Sequence, residues 1–540
     1  MQTSQLPELS PDLLAAFTAE RGVDSVAQAL DQPVVRQLAG AWIGELLGIQ
    51  RLVPDIGVGW RRLVGRAMPF LVERLSSVRL APKLIEQTTL PPDSVPTVRF
   101  GRFITRMPGL QKLGQLLARS PRIPVELRAE LILLEDQISD IPRDEVFAAL
   151  RVEIGDRLAV YQVEVDKTVT AEASVSAVVG FSWADPLTGA RERGVFKVLK
   201  PYVSDYLTED LSILRAFNDE CRDRRVEYGI AALEISEALG EVVDHLEREV
   251  HLDSEQVNLR EAGRRYHAIP GVRIPRLIPE LSTPRVTAMT TASGAKVTTI
   301  TASRPDLGPR IAARISEALV AIPLFSGDET ALFHADPHAG NLFYDPCTDE
   351  LVILDWALGI RLTRDQRRWL VALFAAAVLR DEEWIVEVVG GLCASADIPF
   401  PTETVRRAAR QFVESHPVWL WSARSLGPKL LNQLVREGVP LPGTVYLAGK
   451  ILLTLEGVLH DLSPGARIDV AVLSYLLKQW ATGFPGPAGV GGPAGGFHFP
   501  LPLTDRARGI SSLLTFASRA ILQAFRAGRD WQPPQPEASA

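Results

Sequence analysis

Two short stretches in the middle of the chain constrain its fold more than any other part of the sequence. They read FHADPHAGNLF and LVILDWALG; in them Asp336 precedes Asn341 by five positions, and Asp355 follows Asn341 by 14. The segments NLFYD and ELVILD predict two short strands joined at the turn PCTD. An aspartate, an asparagine five positions later and an aspartate beyond a hairpin form the arrangement of protein-kinase-like phosphoryl-transfer enzymes.

The chemistry of phosphoryl transfer explains these residue types. Asp336 is predicted to orient the attacking hydroxyl or water. The amide oxygen of Asn341 and the carboxylate of Asp355 are predicted to hold Mg²⁺, which neutralises charge on the phosphates.

Two other interpretations of the first stretch stay open. His334, Asp336 and His338 have the order H-x-D-x-H and could ligate a metal ion, although no second cluster of histidines or carboxylates is evident. The alternative is a merely polar turn, but Asp355 ends the apolar run LVIL, where a carboxylate is costly to bury without a partner. His334 itself is predicted to be structural and to hydrogen-bond within the loop.

A phosphate site also needs a cation. The strand pattern GVFKVLK offers Lys197, which points away from the face of its apolar neighbours. Lys200 lies at the predicted strand end, beside a proline. The helical segment EVHLDSEQVN supplies Glu249 and Glu255 as carboxylates that could orient the lysine.

Composition excludes several classes of protein. The chain has 540 residues, 46% of them apolar, which predicts several domains and a sizeable core. Its net charge of −7 with both signs throughout argues against a nucleic-acid binder. Three scattered cysteines suit a reducing compartment and offer no zinc framework. No secretory signal is visible, and the most apolar stretch, WLVALFAAAVL, is about half the ~20 residues that a membrane span needs. We therefore expect a cytoplasmic protein.

The remaining patterns place these motifs. Helical periodicity dominates to about residue 150, including PVELRAELILLEDQ, and RLAVYQVEV, SVSAVVGFSW and RGVFKVLK then predict a small antiparallel sheet. Residues 482–502 are rich in glycine and proline and predict a linker. Beyond it, an apolar helical face accompanied by four arginines between residues 506 and 526 could lie on an anionic membrane or dock on the protein.

Taken in order, these motifs resemble the UbiB family of coenzyme-Q atypical kinases, also called the AarF-like family. KLGQ resembles its KxGQ segment, AEASVSAVV its alanine-rich nucleotide loop, VFKVLKP its lysine strand, and EVHLDSEQVN its ELDYxxEAxN pattern. FHADPHAGNLF and VILDWALG resemble its catalytic and metal loops. The resemblance covers roughly residues 105–465, and KLGQ with HADPHAGN is its specific part.

The resemblance implies a role for each matching residue. Lys197 would contact ATP phosphates and pair with Glu255. The nucleotide would also meet Ala173 and Ser174 in the alanine-rich loop and Met289 in the hinge-like TAMTTASG.

It also implies roles around the reacting phosphate. Asp336 would be the catalytic-loop aspartate, with Asn341 and Asp355 holding Mg²⁺. Lys112 and Gln115 would cover the active site, and we expect the glycine between them to permit close approach of another backbone. Glu249 would contact this segment.

Some positions depart from the family pattern. The metal loop reads Asp355-Trp356-Ala357 instead of Asp-Phe-Gly, and His251 replaces the aspartate of the family's ExD pattern. Ser176 and Ala177 stand in place of the usual Gly-Gln. The C-terminal membrane helices of UbiB itself have no counterpart.

The predicted fold is α+β and protein-kinase-like, with a small β-rich lobe, a helical lobe and a helical N-terminal extension. The predicted limits are 1–100 for the extension, 101–150 for the KxGQ segment, 151–292 and 293–480 for the two lobes, 481–503 for the linker and 504–540 for the amphipathic tail.

The predicted function is that of an atypical kinase-like ATPase or phosphotransferase that uses Mg-ATP. A quinone-like lipid or a membrane surface is a candidate partner. An aminoglycoside-phosphotransferase-like enzyme also fits HADPHAGN with DW, but the upstream KLGQ argues against it. A regulatory pseudokinase would be expected to have lost at least one of the polar residues that phosphoryl transfer needs. This chain retains all four: Lys197, Asp336, Asn341 and Asp355. A metal-dependent hydrolase would need further ligands. The phosphoryl acceptor and the oligomeric state stay open.

Overall fold

The computed structural model of this chain divides it into two compact units. The first comprises Met1–Asp253 and Ile278–Met289, and the second comprises Ser254–Leu277 and Thr290–Ala540. The residues that the structure describes are 22–47, 58–119, 141–184, 189–416, 425–481, 501–502, 504–509 and 511–512.

Helices make up most of the first unit. Several begin at a proline, for example Pro33, Pro108 and Pro201, because the first helical position needs no N–H donor and suits the fixed φ of proline. The apolar faces of all but Arg143–Val160 share one buried core, and Arg143–Val160 packs instead against the sheet. The described helices are Val23–Leu30, Pro33–Leu47, Val58–Arg74, Ser77–Thr89, Pro96–Phe103, Pro108–Arg119, Arg143–Val160, Pro201–Asp223, Arg225–Tyr228 and Ile230–Glu249. The predicted helix PVELRAELILLEDQ lies outside the described residues.

A four-stranded antiparallel sheet forms the β part of the first unit. Its strands, in spatial order, are Glu164–Glu172, Ser176–Ala184, Arg191–Leu199 and Val286–Thr290. The second and third strands pair along their full lengths, with Phe181 and Phe196 stacked 3.9 Å apart. The predicted sheet is therefore present.

One part of the strand prediction was wrong. The beginning of RLAVYQVEV belongs to the helix Arg143–Val160, and the first strand starts only at Glu164. Val146, Leu150 and Ile154 are buried at a spacing of four residues, and Leu158 continues that face. The apolar residues therefore follow a helical period up to this point, which the β-branched ending of the segment obscures.

The helix Pro108–Arg119, called the KLGQ helix below, is anchored at its N-terminus. The N–H of Gly109 donates to Asp210 Oδ2 at 3.1 Å, which satisfies one of the donors that a helix start leaves unpaired. Asp210 also forms a buried ion pair with Arg79 at 2.7 Å. A residue of the helix Pro201–Asp223 thus determines where the KLGQ helix begins.

Short strands in the second unit bring two loops together. Leu342–Asp345 and Glu350–Ile353 form the predicted hairpin, in which Leu342 pairs with Ile353. The strands Thr330–His334 and Gly359–Thr363 pair antiparallel, with residue 334 opposite residue 359. The loops 335–341 and 354–358 each connect one sheet to the other, so they must lie side by side. The two small strands Val272–Arg273 and Ala295–Lys296 flank the hairpin.

Helices surround these strands in the second unit. Arg364–Leu379 contains the most apolar stretch of the sequence and is largely buried, as predicted. Within the described part of the chain, no helix is both long and apolar enough to span a bilayer. The described helices are Leu252–Tyr266, Val297–Ser303, Gly308–Ser316, the π-helical Glu317–Ala321, Ile322–Leu324, Arg364–Leu379, Glu382–Ser395, Thr402–Ser415, Leu426–Arg436, Gly443–Leu462 and Ile468–Ala481.

The described residues after the linker contact the second unit. Arg508 pairs with Glu387, and its guanidinium lies 5.9 Å from the ring centre of Trp384. The hydroxyl of Ser512 donates to Asp381 at 2.5 Å. Of the two predicted locations for the basic segment, docking is the one these contacts favour; most of the segment lies outside the described residues.

We predict that reversing the charge at Arg508 loosens this contact. Arg508→Glu should raise hydrogen exchange at residues 504–512, because it replaces an ion pair with two like charges. The increase should be only several-fold, since a partly exposed ion pair contributes less than about 1 kcal/mol to stability. The double variant Arg508→Glu/Glu387→Arg should restore protection. Equal exchange in all three proteins would show that the ion pair does not hold the segment. Anionic vesicles that sediment wild type but not a protein lacking residues 482–540 would instead support the membrane location.

Candidate active site

His334 connects the two loops through its ring. Its Nε2 lies 2.9 Å from the carbonyl oxygen of Leu354, and its Nδ1 accepts the N–H of Asp336 at 3.2 Å. Nε2 must therefore carry the hydrogen, and the ring is neutral. Its burial, at 2% exposure, agrees with this because burial lowers the pKa of His334. His334 is structural, as predicted.

This contact predicts a pH dependence of stability. The pKa of His334 is lower in the folded chain than the ordinary 6.5, so protons bind preferentially to the unfolded chain. The contribution of His334 is fully present above pH 6.5 and is lost as the pH falls below it. We expect the free energy of unfolding, measured in urea, to decrease between pH 7.5 and 5.5, and to decrease less in His334→Gln. The same pH dependence in both proteins would contradict this role.

The same geometry argues against an H-x-D-x-H metal site. Both ring nitrogens of His334 are engaged by backbone groups, and Nδ1 of His338 accepts the N–H of Gly340 at 3.0 Å. His338 Nε2 lies 3.4 Å from Asp336 Oδ2. Across the described residues, no group of three or more histidine, cysteine, aspartate or glutamate side chains could hold a metal ion.

Asn341 is held from both sides. Its side-chain N–H donates to the carbonyl oxygen of Asp336 at 3.0 Å, and its own carbonyl accepts the N–H of Leu354 at 2.9 Å. The amide nitrogen thus faces Asp336 backbone, which makes the amide oxygen the atom suited to a cation. The structure brings the loops of Asp336, Asn341 and Asp355 together as the hairpin predicts.

Asp355 adopts an unusual backbone conformation. Its φ of 53° lies in the left-handed region, which aspartate tolerates better than most residues. Its Oδ1 accepts the N–H of Ala357 at 3.3 Å. Ala357 itself has no positive φ, so replacing the family's glycine by alanine costs no backbone strain here. Trp356 is 1% exposed, and its ring packs edge-on against the ring of His334, with the ring centres 4.8 Å apart.

Asn258 was not singled out from the sequence, yet it anchors the loop that contains Asp355. Its Nδ2 donates to the carbonyl oxygen of Trp356 at 3.0 Å, while its Oδ1 accepts from Arg361 at 2.9 Å. Arg361 also pairs with Glu261 at 2.6 Å. Asn258 is 7% exposed. Its position at the end of EVHLDSEQVN was the only signal in the sequence.

We predict that Asn258→Asp weakens metal binding at Asp355 without contacting the metal. The variant keeps the size of the side chain but loses the donor to Trp356, and it places a carboxylate against a carbonyl oxygen. Loss of an outer-shell partner typically costs about 10- to 100-fold in metal affinity. Mg²⁺ titration in the presence of nucleotide measures this effect. Gln256→Glu makes the same charge change on the same helix and should leave the affinity unchanged; equal losses in both variants would contradict a specific role.

The first unit carries the predicted lysine and nucleotide loop. Lys197 is half-buried, opposite Val178, while Phe196 and Val198 are buried on the other face of the strand, as its period requires. Met289 lies half-buried in the neighbouring strand. Glu255 is 2% exposed and belongs to the second unit, so its predicted pairing with Lys197 stays a prediction.

Lys200 is more deeply buried than its place at the strand end suggested. It is 2% exposed and pairs with Glu172 at 2.9 Å. Lys200 precedes a proline at the boundary between strand and helix, where the period of neither element indicates burial.

Glu249 joins the KLGQ helix to the nucleotide loop. It forms an ion pair with Lys112 and accepts a hydrogen bond from the hydroxyl of Ser174 at 3.4 Å. Ala173 is exposed in the same tight loop. His251, which departs from the family pattern, has an exposed side chain, so Glu249 provides the contact with Lys112.

Two expectations about the KLGQ helix have different outcomes. The expected close approach of a backbone to Gly114 is wrong within the first unit: a Cβ there would meet no described atom within 4 Å. Gly114 and Gln115 line a cavity instead. Asp336 and Asp355 belong to the second unit, so the position of Lys112 and Gln115 relative to them stays a prediction.

Comparison with known proteins agrees with this geometry. The ABC1 atypical kinase-like domain matches residues 133–389. Two proteins called probable protein kinase UbiB are similar: that of Xanthomonas axonopodis pv. citri is 25% identical over 68% of this chain and 67% of its own, and that of Pasteurella multocida is 27% identical over 68% and 71%. The chloroplastic protein ACTIVITY OF BC1 COMPLEX KINASE 1 of Arabidopsis thaliana is 25% identical over 71% of this chain, which spans 55% of that protein.

Among solved structures, the chain is similar to a Mycobacterium tuberculosis protein in complex with erythromycin. The two chains are 18% identical and superpose with a TM-score of 0.41, over 73% of this chain and 97% of the other.

The strands, loops and matching domain define a protein of the atypical kinase-like class, and the predicted α+β, protein-kinase-like fold is confirmed. Within that class, the matching domain and the similarity to proteins called UbiB support the predicted assignment of the chain to the UbiB family.

Proposed function

We propose that this protein binds Mg-ATP and either hydrolyses it or transfers its terminal phosphoryl group to a small or lipid acceptor. The observation that carries the proposal is the pair of loops holding Asp336, Asn341 and Asp355, tied to each other by His334 and by the Leu354 N–H. Because this atypical kinase-like protein has Asp336, Asn341 and Asp355 on adjoining loops, it has the groups that phosphoryl transfer requires.

The donor set fits Mg²⁺. Asp355 supplies an exposed carboxylate and Asn341 an amide oxygen, both hard oxygen ligands. Two protein ligands suffice for Mg²⁺, which keeps water and phosphate oxygens as its other ligands. Bound there, Mg²⁺ would neutralise charge on the phosphates. Asn258 and the backbone of Ala357 keep the Asp355 loop in place.

Asp336 is the residue proposed to act on the acceptor. Its carboxylate is 29% exposed, so it can reach a hydroxyl or water, and its backbone N–H and carbonyl are both hydrogen-bonded within the site. A carboxylate so placed orients the acceptor oxygen and takes its proton. On the first unit, Lys197 is the cation proposed to contact the phosphates, with Ala173, Ser174 and Met289 against the nucleotide.

Membership of the UbiB family favours an acceptor of the isoprenoid quinone lipid type, and a cytoplasmic protein that can reach a membrane surface. A regulatory nucleotide-binding role without turnover is the second candidate. The alanine at position 357 would favour this role if it strained the loop, but Ala357 has no positive φ.

The test is Mg²⁺-dependent release of phosphate from ATP by the purified protein, with and without a quinone-like lipid. We expect turnover that EDTA abolishes and that the lipid changes. Kanamycin as acceptor tests the small-molecule kinase. Binding of Mg-ATP without turnover under any condition would support the regulatory role, and absence of nucleotide binding would overturn the proposal.

A further inference from the structure

The last described helix before the linker exposes a row of apolar side chains. In this helix, Ile468–Ala481, the residues Val470, Leu473 and Leu477 are 49%, 56% and 56% exposed. Residues three and four positions apart lie on one face of a helix, so these three side chains form one stripe, called the apolar stripe below. Tyr475, on the opposite face, is buried. A contiguous exposed apolar row of this kind marks a contact surface.

The beginning of the C-terminal segment contacts the second unit through its polar face. The described residues between 504 and 512 are helical. Arg508 pairs with Glu387, and the hydroxyl of Ser512 donates to Asp381. Because Arg508 and Ser512 are four positions apart, both contacts use the same face of this helix.

The apolar residues that follow belong to the opposite face. Residues 513–525 lie outside the described residues, but in their sequence apolar side chains recur every three to four positions, as one face of a helix requires. These side chains are Leu513, Leu514, Ala517, Ile521 and Phe525. In a continuous helix of about 3.6 residues per turn, they lie opposite Arg508 and Ser512. The contacts with Asp381 and Glu387 therefore do not use the apolar face.

The end of the described segment lies near the start of the helix that carries the apolar stripe. Ser512 contacts Asp381. The pKa of the preceding residue, Arg380, is lowered mainly by burial, and the nearby charges of Arg467 and Asp469 also act on it. Arg467 and Asp469 form an ion pair at 2.6 Å, at the first turn of the stripe-bearing helix. The chain beyond Ser512 thus starts beside that helix.

The length of this part of the chain is sufficient to cover the stripe. A helix rises about 1.5 Å per residue, so residues 513–525 reach about 20 Å beyond Ser512, whereas the stripe from Val470 to Leu477 is about 10 Å long. The chain therefore has an uncovered apolar surface and, close to it, an apolar helical face of its own that reaches far enough to cover it.

We propose that residues 513–525 pack their apolar face on the apolar stripe. The C-terminal segment is then held by both faces, with its polar face on Asp381 and Glu387 and its apolar face on Val470, Leu473 and Leu477. This contact is independent of the proposed phosphoryl transfer. It buries the same apolar residues that a membrane would need, so the segment cannot make both contacts at once.

Hydrogen exchange at residues 468–481 of the full-length protein tests the contact. Leu514→Asn/Ile521→Asn makes the apolar face of the segment polar without adding charge, and it should raise exchange at residues 468–481 at least threefold. Thr515→Asn/Gln523→Asn places the same two side chains on the opposite face and should leave that exchange as in wild type.

The reciprocal variant changes the stripe. Leu473→Asn/Leu477→Asn should raise exchange at residues 513–525 at least threefold. Val152→Asn/Val226→Asn makes the same kind of change at two exposed positions of the first unit and should have no effect there. Circular dichroism checks the fold, and Leu473→Asn alone replaces the double variant if that protein unfolds.

Several outcomes would overturn the contact. Unchanged exchange at residues 468–481 in Leu514→Asn/Ile521→Asn would do so, and so would equal increases in that variant and its control. Light scattering that finds a dimer in wild type and a monomer in Leu514→Asn/Ile521→Asn would assign the apolar face to a second copy of the chain. Sedimentation with phosphatidylserine-containing vesicles that is lost in this variant, with exchange at residues 468–481 unchanged, would assign the face to a membrane.

Discussion

Asp355→Asn is expected to abolish Mg²⁺-dependent binding of ATP while leaving the fold intact. Asparagine has the same shape and keeps an oxygen for the Ala357 N–H, but it removes the one negative charge predicted to bind the metal. In a thermal-shift titration, a ligand at 100 times its Kd stabilises the folded protein by about 2.7 kcal/mol. Wild type should show a stabilisation of this kind with Mg-ATP, and Asp355→Asn should show none.

Asp345→Asn is the matched control for this experiment. Asp345 ends the first strand of the same hairpin and accepts the N–H of Cys347 at 2.9 Å, outside the two loops of the site. The same chemical change there should leave Mg-ATP stabilisation as in wild type. Unchanged stabilisation in Asp355→Asn would exclude Asp355 as a metal ligand, and loss in both variants would indicate a general effect of charge.

Asp336→Asn is expected to have the opposite pattern: binding kept, turnover lost. The backbone of Asp336 is hydrogen-bonded on both sides: its N–H donates to His334 Nδ1, and its carbonyl accepts from the Asn341 side chain and the His338 N–H. These bonds survive the substitution because they do not use the carboxylate. What is lost is the carboxylate that orients the acceptor and takes its proton. General-base catalysis of this kind contributes about 10²- to 10⁴-fold, so kcat for phosphate release should fall within that range.

The Kd for Mg-ATP in Asp336→Asn should stay within a few-fold of wild type. His338→Gln serves as a control variant. Nε2 of His338 lies 3.4 Å from Oδ2 of Asp336, but His338 is not assigned a role in the reaction. Turnover of Asp336→Asn within threefold of wild type would rule out the assigned role. Loss of nucleotide binding in Asp336→Asn would show that the residue acts on the metal and not on the acceptor.

Local pattern was enough to predict the elements that hold the site. The strands around PCTD follow from β-branched runs and a turn, and the separation of Asp336, Asn341 and Asp355 then requires the two loops to meet. The alternation in GVFKVLK likewise predicts on which face Lys197 lies. Where two periods overlapped, as in RLAVYQVEV, the helical face that includes Leu158 prevailed over the β propensity of the segment's end.

The residue types and their spacing along the chain thus determined the fold class, the family and the candidate catalytic residues. Only the tertiary structure decided which other polar residues support them. Asn258 meets Trp356 across 98 positions, and Asp210 meets Gly109 across 101. The burial of Lys200 and the cavity beside Gly114 depend on how separate helices pack. Periodicity reports which face of one element is apolar, but contacts between distant elements depend on packing that no local window contains.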